Sequence, residues 1–158
     1  MENAVTAALS LVQMGLPGPQ IEAGIAQARW PGRLEIVQER PDIILDGAHN
    51  PAGARALAAY IDRFYRDRRV RLIFGTMRDK AIDEISEILF PLAQEVIVTA
   101  PKQARALAPE ALAEMVHHPC LRTAATLEDA LAMVSDAEPE EAIFITGSLF
   151  LVAEARKQ

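Results

Sequence analysis

The residues of this sequence best suited to chemistry are Asp46 and His49, which lie three positions apart in the segment Leu45-Asp46-Gly47-Ala48-His49-Asn50-Pro51. A carboxylate accepts hydrogen bonds from hydroxyl groups such as those of a ribose, and an imidazole beside a helix N-terminus can meet an anion. The structural alternative is a turn in which Asp46 binds only backbone amides and His49 is a spacer. The spacing therefore indicates a ligand site and leaves this alternative open.

Two further polar stretches follow apolar runs later in the chain. Gly75-Thr76-Met77-Arg78-Asp79-Lys80 follows a run that ends at Phe74, and Gly147-Ser148 follows a run that ends at Thr146. The first stretch lacks the second glycine and the trailing hydroxyl of a phosphate-binding P-loop. In a purely structural role, Asp79 would favour the first turn of the next helix and Ser148 would cap the last one.

The elements that must position these groups are short buried strands alternating with helices. Ile43 to Leu45 is a continuous apolar run, Asn50 is a good helix N-cap, and Pro51 suits the first helical position. This alternation predicts an α/β fold of the Rossmann-like type, a mostly parallel sheet with helices on both faces. Because parallel strands end at the same edge, the three polar stretches should line one crevice there.

The beginning of the chain has a different pattern. Apolar residues at helical spacing over 2–14 and again after Pro17-Gly18-Pro19 predict two short helices, and Trp30-Pro31-Gly32 interrupts the pattern. We therefore expect a helical lead-in over residues 1–29 and an α/β domain over residues 30–158.

Composition excludes several classes of function. The chain has 158 residues, a net charge of −6 and no basic run, which argues against nucleic acid as a partner. Its apolar runs are shorter than the ~20 residues of a membrane span, which predicts no contact with a membrane. Cys120 is the single cysteine, which fits a reducing cytoplasm and predicts a small core residue.

The segment Leu45-Asp46-Gly47-Ala48-His49-Asn50-Pro51 resembles the signature that opens the C-terminal domain of folylpolyglutamate synthase and the related bifunctional dihydrofolate synthase, in the Mur ligase superfamily. Other stretches resemble motifs of that family and occur along this chain in the same order as in the family. They are Asn3-Ala4, Pro31-Gly32-Arg33, the Asp79-Lys80 loop and Thr146-Gly147-Ser148. The resemblance covers nearly the whole chain and implies the Mur ligase C-terminal type of α/β domain.

The resemblance also implies roles for individual residues. Asn3, Arg33 and Asp46 would contact ATP. The substrate, including the incoming glutamate, would be bound by His49, Asp79, Lys80 and Ser148. No catalytic residue and no metal ligand is expected in this chain.

The implied parent enzyme uses ATP and Mg²⁺ to join L-glutamate to dihydropteroate or a folate, as a cytoplasmic monomer. The magnesium ligands and the P-loop would belong to an N-terminal ATPase domain that is not part of these 158 residues. We therefore expect residues 1–158 to be inactive alone. Two alternatives stay open at this point: the C-terminal domain of a peptidoglycan Mur ligase, and a stand-alone nucleotide-binding module without catalytic activity.

Overall fold

The computed structural model of the protein describes residues 2–78 and 81–158, without the side chains of Glu2 and Asn3. The chain divides into two compact units, Met1–Pro31 and Gly32–Gln158. The first unit contains helices α1 (Glu2–Gln13) and α2 (Gly18–Gln27). That this unit serves as a lead-in between domains stays a prediction.

The second unit contains six strands and five further α-helices among the described residues. The strands are β1 (Glu35–Gln38), β2 (Asp42–Leu45), β3 (Val70–Phe74), β4 (Glu95–Val98), β5 (Leu121–Thr123) and β6 (Ala142–Thr146). The helices are α3 (Pro51–Phe64), α4 (Ile82–Leu89), α5 (Pro109–Met115), α6 (Leu127–Met133) and α7 (Leu149–Ala155), and a 3₁₀ turn (Phe90–Leu92) follows α4. No helix in the described ranges is both long enough and apolar enough to pass through a bilayer.

The sheet has the strand order β1-β2-β6-β3-β4-β5. The pairs from β2 to β5 are all parallel, and only β1 at one edge runs antiparallel, against β2. The last strand in the sequence, β6, therefore lies between β2 and β3. The predicted α/β fold with a mostly parallel sheet is confirmed.

The core lies on both faces of this sheet. On β6, Phe144 packs into the cluster formed with α3, α4 and α5, whereas Ile143 and Ile145 pack into the cluster formed with α6 and α7. All five residues of β6 are buried. A strand covered on both faces needs apolar residues without alternation, which explains the continuous apolar runs in the sequence.

A buried ion cluster closes the amino edge of the sheet, opposite the polar loops. Arg71 on β3 contacts Asp136 Oδ1 through Nη1 at 2.6 Å, and its Nε lies 2.9 Å from Glu141 Oε2 and 3.5 Å from Glu95 Oε2. Its side chain is only 4% exposed. The cluster pairs a cation with carboxylates from both neighbouring strand ends, so it holds β4 and β6 against β3.

Cys120 is not the core residue that the sequence predicts. It is exposed, in the loop that leads into the edge strand β5, and its backbone N–H donates to His118 Nδ1 at 3.1 Å. The hydrophobicity of a small thiol gives no information about whether the neighbouring strand lies at the edge or the centre of a sheet.

Candidate functional site

The polar stretches meet at the carboxyl edge of the parallel strands. The loops concerned are residues 46–50 after β2, 75–78 after β3, 99–108 after β4 and 147–148 after β6. Backbone hydrogen bonds connect them: the Gly147 N–H donates to Ala48 O at 3.0 Å and the Gly75 N–H to Thr146 O at 3.2 Å. Residues about a hundred positions apart in the sequence therefore form one surface.

Gly147 allows these loops to approach so closely. Its φ of +97° lies in the left-handed region, and a Cβ at this position would lie 2.7 Å from Gly75 O. Any other residue would strain its own backbone and push the β3 and β6 loops apart. The glycine of the Thr146-Gly147-Ser148 motif thus has a structural reason.

Asp46 directly follows β2 and points back into the protein. Its side chain is buried, and its two carboxylate oxygens accept from two backbone groups: the Leu34 N–H donates to Oδ2 at 3.0 Å and the Ala48 N–H to Oδ1 at 2.9 Å. Each oxygen keeps one lone pair for a further donor. Asp46 therefore makes the backbone contacts of the structural alternative and retains some capacity for a ligand hydroxyl.

Asp46 also holds the turn that carries Arg33. Leu34 has a φ of +48°, which is uncommon for a residue with a side chain, and its N–H is the one bound by Asp46. The Gly47 N–H donates to Gly32 O at 2.8 Å and completes the attachment. Arg33 is exposed in this turn, and its charge acts on the Asp46 carboxyl, so it lies near the loop after β2.

The buried position of Asp46 raises the pKa of its carboxyl. Burial raises the pKa of this carboxyl, whereas the N–H groups of Leu34 and Ala48 and the nearby charge of Arg33 act to lower it; burial has the larger effect. A cation or hydroxyl donor that reached Asp46 would compensate for this loss of solvation.

His49 is half-buried and has a defined hydrogen-bond pattern. Its Nδ1 lies 2.8 Å from Gly47 O, and because a carbonyl can only accept, Nδ1 carries a proton. In the neutral ring, Nε2 is then an acceptor, suited to an amine, and in the protonated ring it is a donor, suited to a carboxylate. The residue that follows, Asn50, caps α3 as predicted, with its Oδ1 accepting from Gly53 N–H at 2.8 Å.

Ser148 is buried and caps α7, where its Oγ accepts from the Phe150 N–H at 3.1 Å. Ser148 and His49 line the same cavity, which has a volume of about 150 Å³. The predicted substrate residues that the structure describes, one after β2 and one after β6, are thus brought together. Their roles stay predictions.

Arg105 lines this cavity as well, and the sequence reasoning missed it. The reason is that β4 is followed by the long segment 99–108, which has no glycine and matches no motif. The available signal was positional, because every loop that follows a strand of the parallel sheet lies at the same edge.

Three of the predicted site residues lie outside the described part of the structure: Asp79, Lys80 and the side chain of Asn3. Within the described ranges, no group of three or more His, Cys, Asp or Glu side chains is placed to hold a metal ion.

Comparison with known proteins gives the family. The sequence matches the family described as Mur ligase, glutamate ligase domain, over residues 32–149. A curated relative from Mycobacterium tuberculosis, dihydrofolate synthase/folylpolyglutamate synthase, is 36% identical over 179 residues, which cover 98% of this chain and 37% of the relative.

Solved structures agree with this relationship. The structure of Escherichia coli FolC in complex with DHPP and ADP has a TM-score of 0.91 and 29% identity, covering 98% of this chain and 38% of that one. The bifunctional folylpolyglutamate synthase/dihydrofolate synthase of Yersinia pestis, complexed with AMPPNP and a Mn ion, has a TM-score of 0.82 and 29% identity. The match covers 90% of this chain and 34% of that one.

The chain spans less than two fifths of the length of each of these three proteins. Its matched region begins at Gly32, where the second compact unit begins, and ends in α7. The chain belongs to the family of Mur ligase glutamate ligase domains.

Proposed function

We propose that this chain is the C-terminal domain of an ATP-dependent ligase that adds L-glutamate to dihydropteroate or a folate. The observation that carries the proposal is the joining of the loops after β2, β3 and β6 into one surface, in a fold shared with E. coli FolC bound to ADP. The partner of this surface would be an N-terminal P-loop ATPase domain of the same protein. The parent enzyme would act as a monomer in the cytoplasm, where ATP and folates are available.

The turn at Arg33 fits an ATP phosphate. The guanidinium is exposed, and the backbone beneath it is fixed by the contacts of Asp46 with Leu34 and of Gly47 with Gly32. An arginine on a fixed backbone can hold a phosphate through two parallel N–H donors at a small entropic cost. ATP would supply the phosphoryl group that activates the acceptor carboxylate.

Asn3 and Asp46 complete the proposed nucleotide contacts. A ribose hydroxyl could donate to the remaining lone pairs of the Asp46 carboxylate. The main contribution of Asp46 would be to hold the turn of Arg33 in place. The Mg²⁺ ligands would come from the ATPase domain.

Glutamate would bind in the cavity lined by His49 and Ser148. Asp79 and Lys80 would contribute from the loop after β3. Because His49 Nδ1 carries a proton, Nε2 is free to contact the amino acid. In the neutral ring it would accept from the amine, and in the protonated ring it would donate to a carboxylate. Closing the two domains would exclude water from the acyl phosphate formed from the acceptor, which water would otherwise hydrolyse.

The experiment is a ligation assay on the full-length parent, measuring ADP release that depends on both glutamate and a pteroate or folate acceptor. Arg33→Ala should lower kcat/KM for ATP by roughly 10- to 100-fold, because a charge-assisted hydrogen bond contributes about 1.5–3 kcal/mol. Arg66→Ala is the matched control, since Arg66 is an exposed arginine just beyond the end of α3 that pairs with Asp62.

Residues 1–158 alone should release no ADP under the same conditions. Absence of acceptor-dependent ADP release by the full-length parent would refute the proposed function. Ligation by residues 1–158 alone would refute the proposed need for the ATPase domain.

A further inference from the structure

The turn that carries Arg33 has an unusual backbone conformation on both sides of this residue. Gly32 has a φ of +70° and Leu34 has a φ of +48°, so both neighbours of Arg33 are in the left-handed region. A residue with a side chain, such as Leu34, keeps this conformation only where its surroundings fix it. The position of Arg33 therefore depends on the groups that bind the backbone of this turn.

Glu35 is one of these groups. Its Oε2 accepts from the Gly32 N–H at 2.7 Å, a short distance of the kind found with a charged acceptor. Two further bonds attach the turn to the loop after β2: the Leu34 N–H donates to Asp46, and the Gly47 N–H donates to Gly32 O. The bond from Glu35 is on the amino side of the turn, and the bond from Asp46 is on its carboxyl side.

The second oxygen of Glu35 attaches the turn to α7. Glu35 Oε1 accepts from Nε of Arg156, the residue directly after this helix, at 3.0 Å. The helix also lies against the turn, because a Cβ on Gly32 would be 2.6 Å from Val152 Cγ1. The side chains of Glu35 and Arg156 are 23% and 52% exposed, so their ion pair adds little stability but orients the carboxylate.

These contacts also keep Glu35 charged. The Gly32 N–H has the largest effect on the pKa of the Glu35 carboxyl and lowers it; burial acts to raise this pKa, and Arg156 lowers it further. The net result is a pKa below its ordinary value. At neutral pH the acceptor of the Gly32 N–H is thus a carboxylate, which binds an N–H more strongly than a neutral oxygen does.

We propose that Glu35 is a positioning residue for Arg33, because it fixes the amino side of the turn against α7 and so presents the guanidinium to an ATP phosphate. This inference rests on the proposed function, in which Arg33 contacts ATP. Glu35 acts through Arg33 and not on the nucleotide itself, whose phosphates its negative charge would repel. A turn that is already in place binds a phosphate without first having to be ordered.

The test uses the full-length parent and measures the Kd for AMPPNP with Mg²⁺ by isothermal titration calorimetry, together with KM for ATP and for L-glutamate. Glu35→Ala should raise the Kd and KM for ATP by roughly 3- to 10-fold, since it removes one hydrogen bond that acts indirectly. KM for L-glutamate should not change. Glu35→Gln keeps an oxygen for the Gly32 N–H and should recover most of the loss.

The matched control is Asp62→Ala, which removes a carboxylate from an exposed pair with Arg66 and should change none of these constants. Glu35 is half-buried at the start of an edge strand, so its variants should fold, which circular dichroism checks. Arg156→Ala provides a second test that leaves Glu35 in place. It should raise the Kd by a smaller factor, roughly 2-fold, because it only releases the carboxylate from α7.

A double-mutant cycle separates positioning from a general effect on the fold. In an Arg33→Ala background, Glu35→Ala should raise the Kd for AMPPNP no further, since the residue through which it acts is gone. A further rise of the same size in that background would overturn the inference. An unchanged Kd in Glu35→Ala, a Glu35→Gln variant no better than Glu35→Ala, or an unchanged Kd in Arg156→Ala would overturn it as well.

The outcomes for this inference and for the proposed function are distinguishable. Failure of the wild-type parent to ligate glutamate to any folate acceptor would refute the proposed function, and the Kd values for AMPPNP would still show whether Glu35 acts through Arg33. An Arg33→Ala variant that binds AMPPNP as tightly as the wild type would overturn the inference while leaving the ligase activity standing.

Discussion

Replacing Arg71 by methionine tests how the amino edge of the sheet is held together. Arg71 is 4% exposed, and its partners Glu141 and Glu95 are 7% and 11% exposed. The substitution keeps most of the side-chain volume but removes the cation that lies between two buried carboxylates. The expected result is a large loss of stability, because these carboxylates stay buried with less compensation.

The magnitude follows from what remains after the substitution. Breaking a buried ion pair costs about 3–5 kcal/mol. Glu95 would keep Arg122 at 2.9 Å and Glu141 would keep Arg69 at 3.1 Å, and both arginines are about half exposed. The loss should therefore lie near the lower limit, about 3 kcal/mol, which for a chain of this size lowers Tm by roughly 6–12 °C.

The measurement is urea unfolding followed by circular dichroism, together with a thermal scan. Arg66→Met is the matched control, since it removes an arginine from a solvent-exposed pair with Asp62, and it should cause no measurable change. The double variant Arg71→Met/Glu141→Gln should recover part of the lost stability, since it removes one of the uncompensated charges. A loss in Arg71→Met as small as that of the control would refute the predicted destabilisation. No recovery in the double variant would show that the uncompensated charge of Glu141 is not its cause.

Two further predictions concern the edges of the sheet. Gly147→Ala should lower the free energy of unfolding by at least 1–3 kcal/mol, since its Cβ would lie 2.7 Å from Gly75 O at a positive φ; urea unfolding measures it, and an unchanged midpoint would contradict the reasoning. Burial acts to raise the pKa of Asp42, but hydrogen bonds led by that from Arg68 outweigh it and hold this pKa below its ordinary value. A carboxyl with a lowered folded-state pKa stabilises the protein above its unfolded value of about 3.9, and this contribution is lost as the pH falls through the folded-state value. Unfolding free energy measured from pH 6 to pH 2 should fall less steeply in Asp42→Asn than in the wild type, and parallel curves would contradict the assignment.

The order of the elements could be predicted because each depends on neighbouring residues. Asn50 and Pro51 begin α3, and Thr126 begins α6 with a capping box to Asp129. These signals are local hydrogen bonds between residues a few positions apart, so they are present in the sequence itself. Cys120 was placed wrongly because burial depends on strand order, which no local pattern encodes.

The sequence by itself determined that buried strands end in polar loops, and that a parallel sheet must bring those loops to one edge. Only the tertiary structure decided what each side chain does there. It showed that Asp46 binds the backbone of the Arg33 turn, and that Arg105 reaches the cavity of His49 and Ser148. The physical reason is that the direction of a strand end follows from local pattern, whereas the partners of a side chain depend on contacts between segments far apart in the chain.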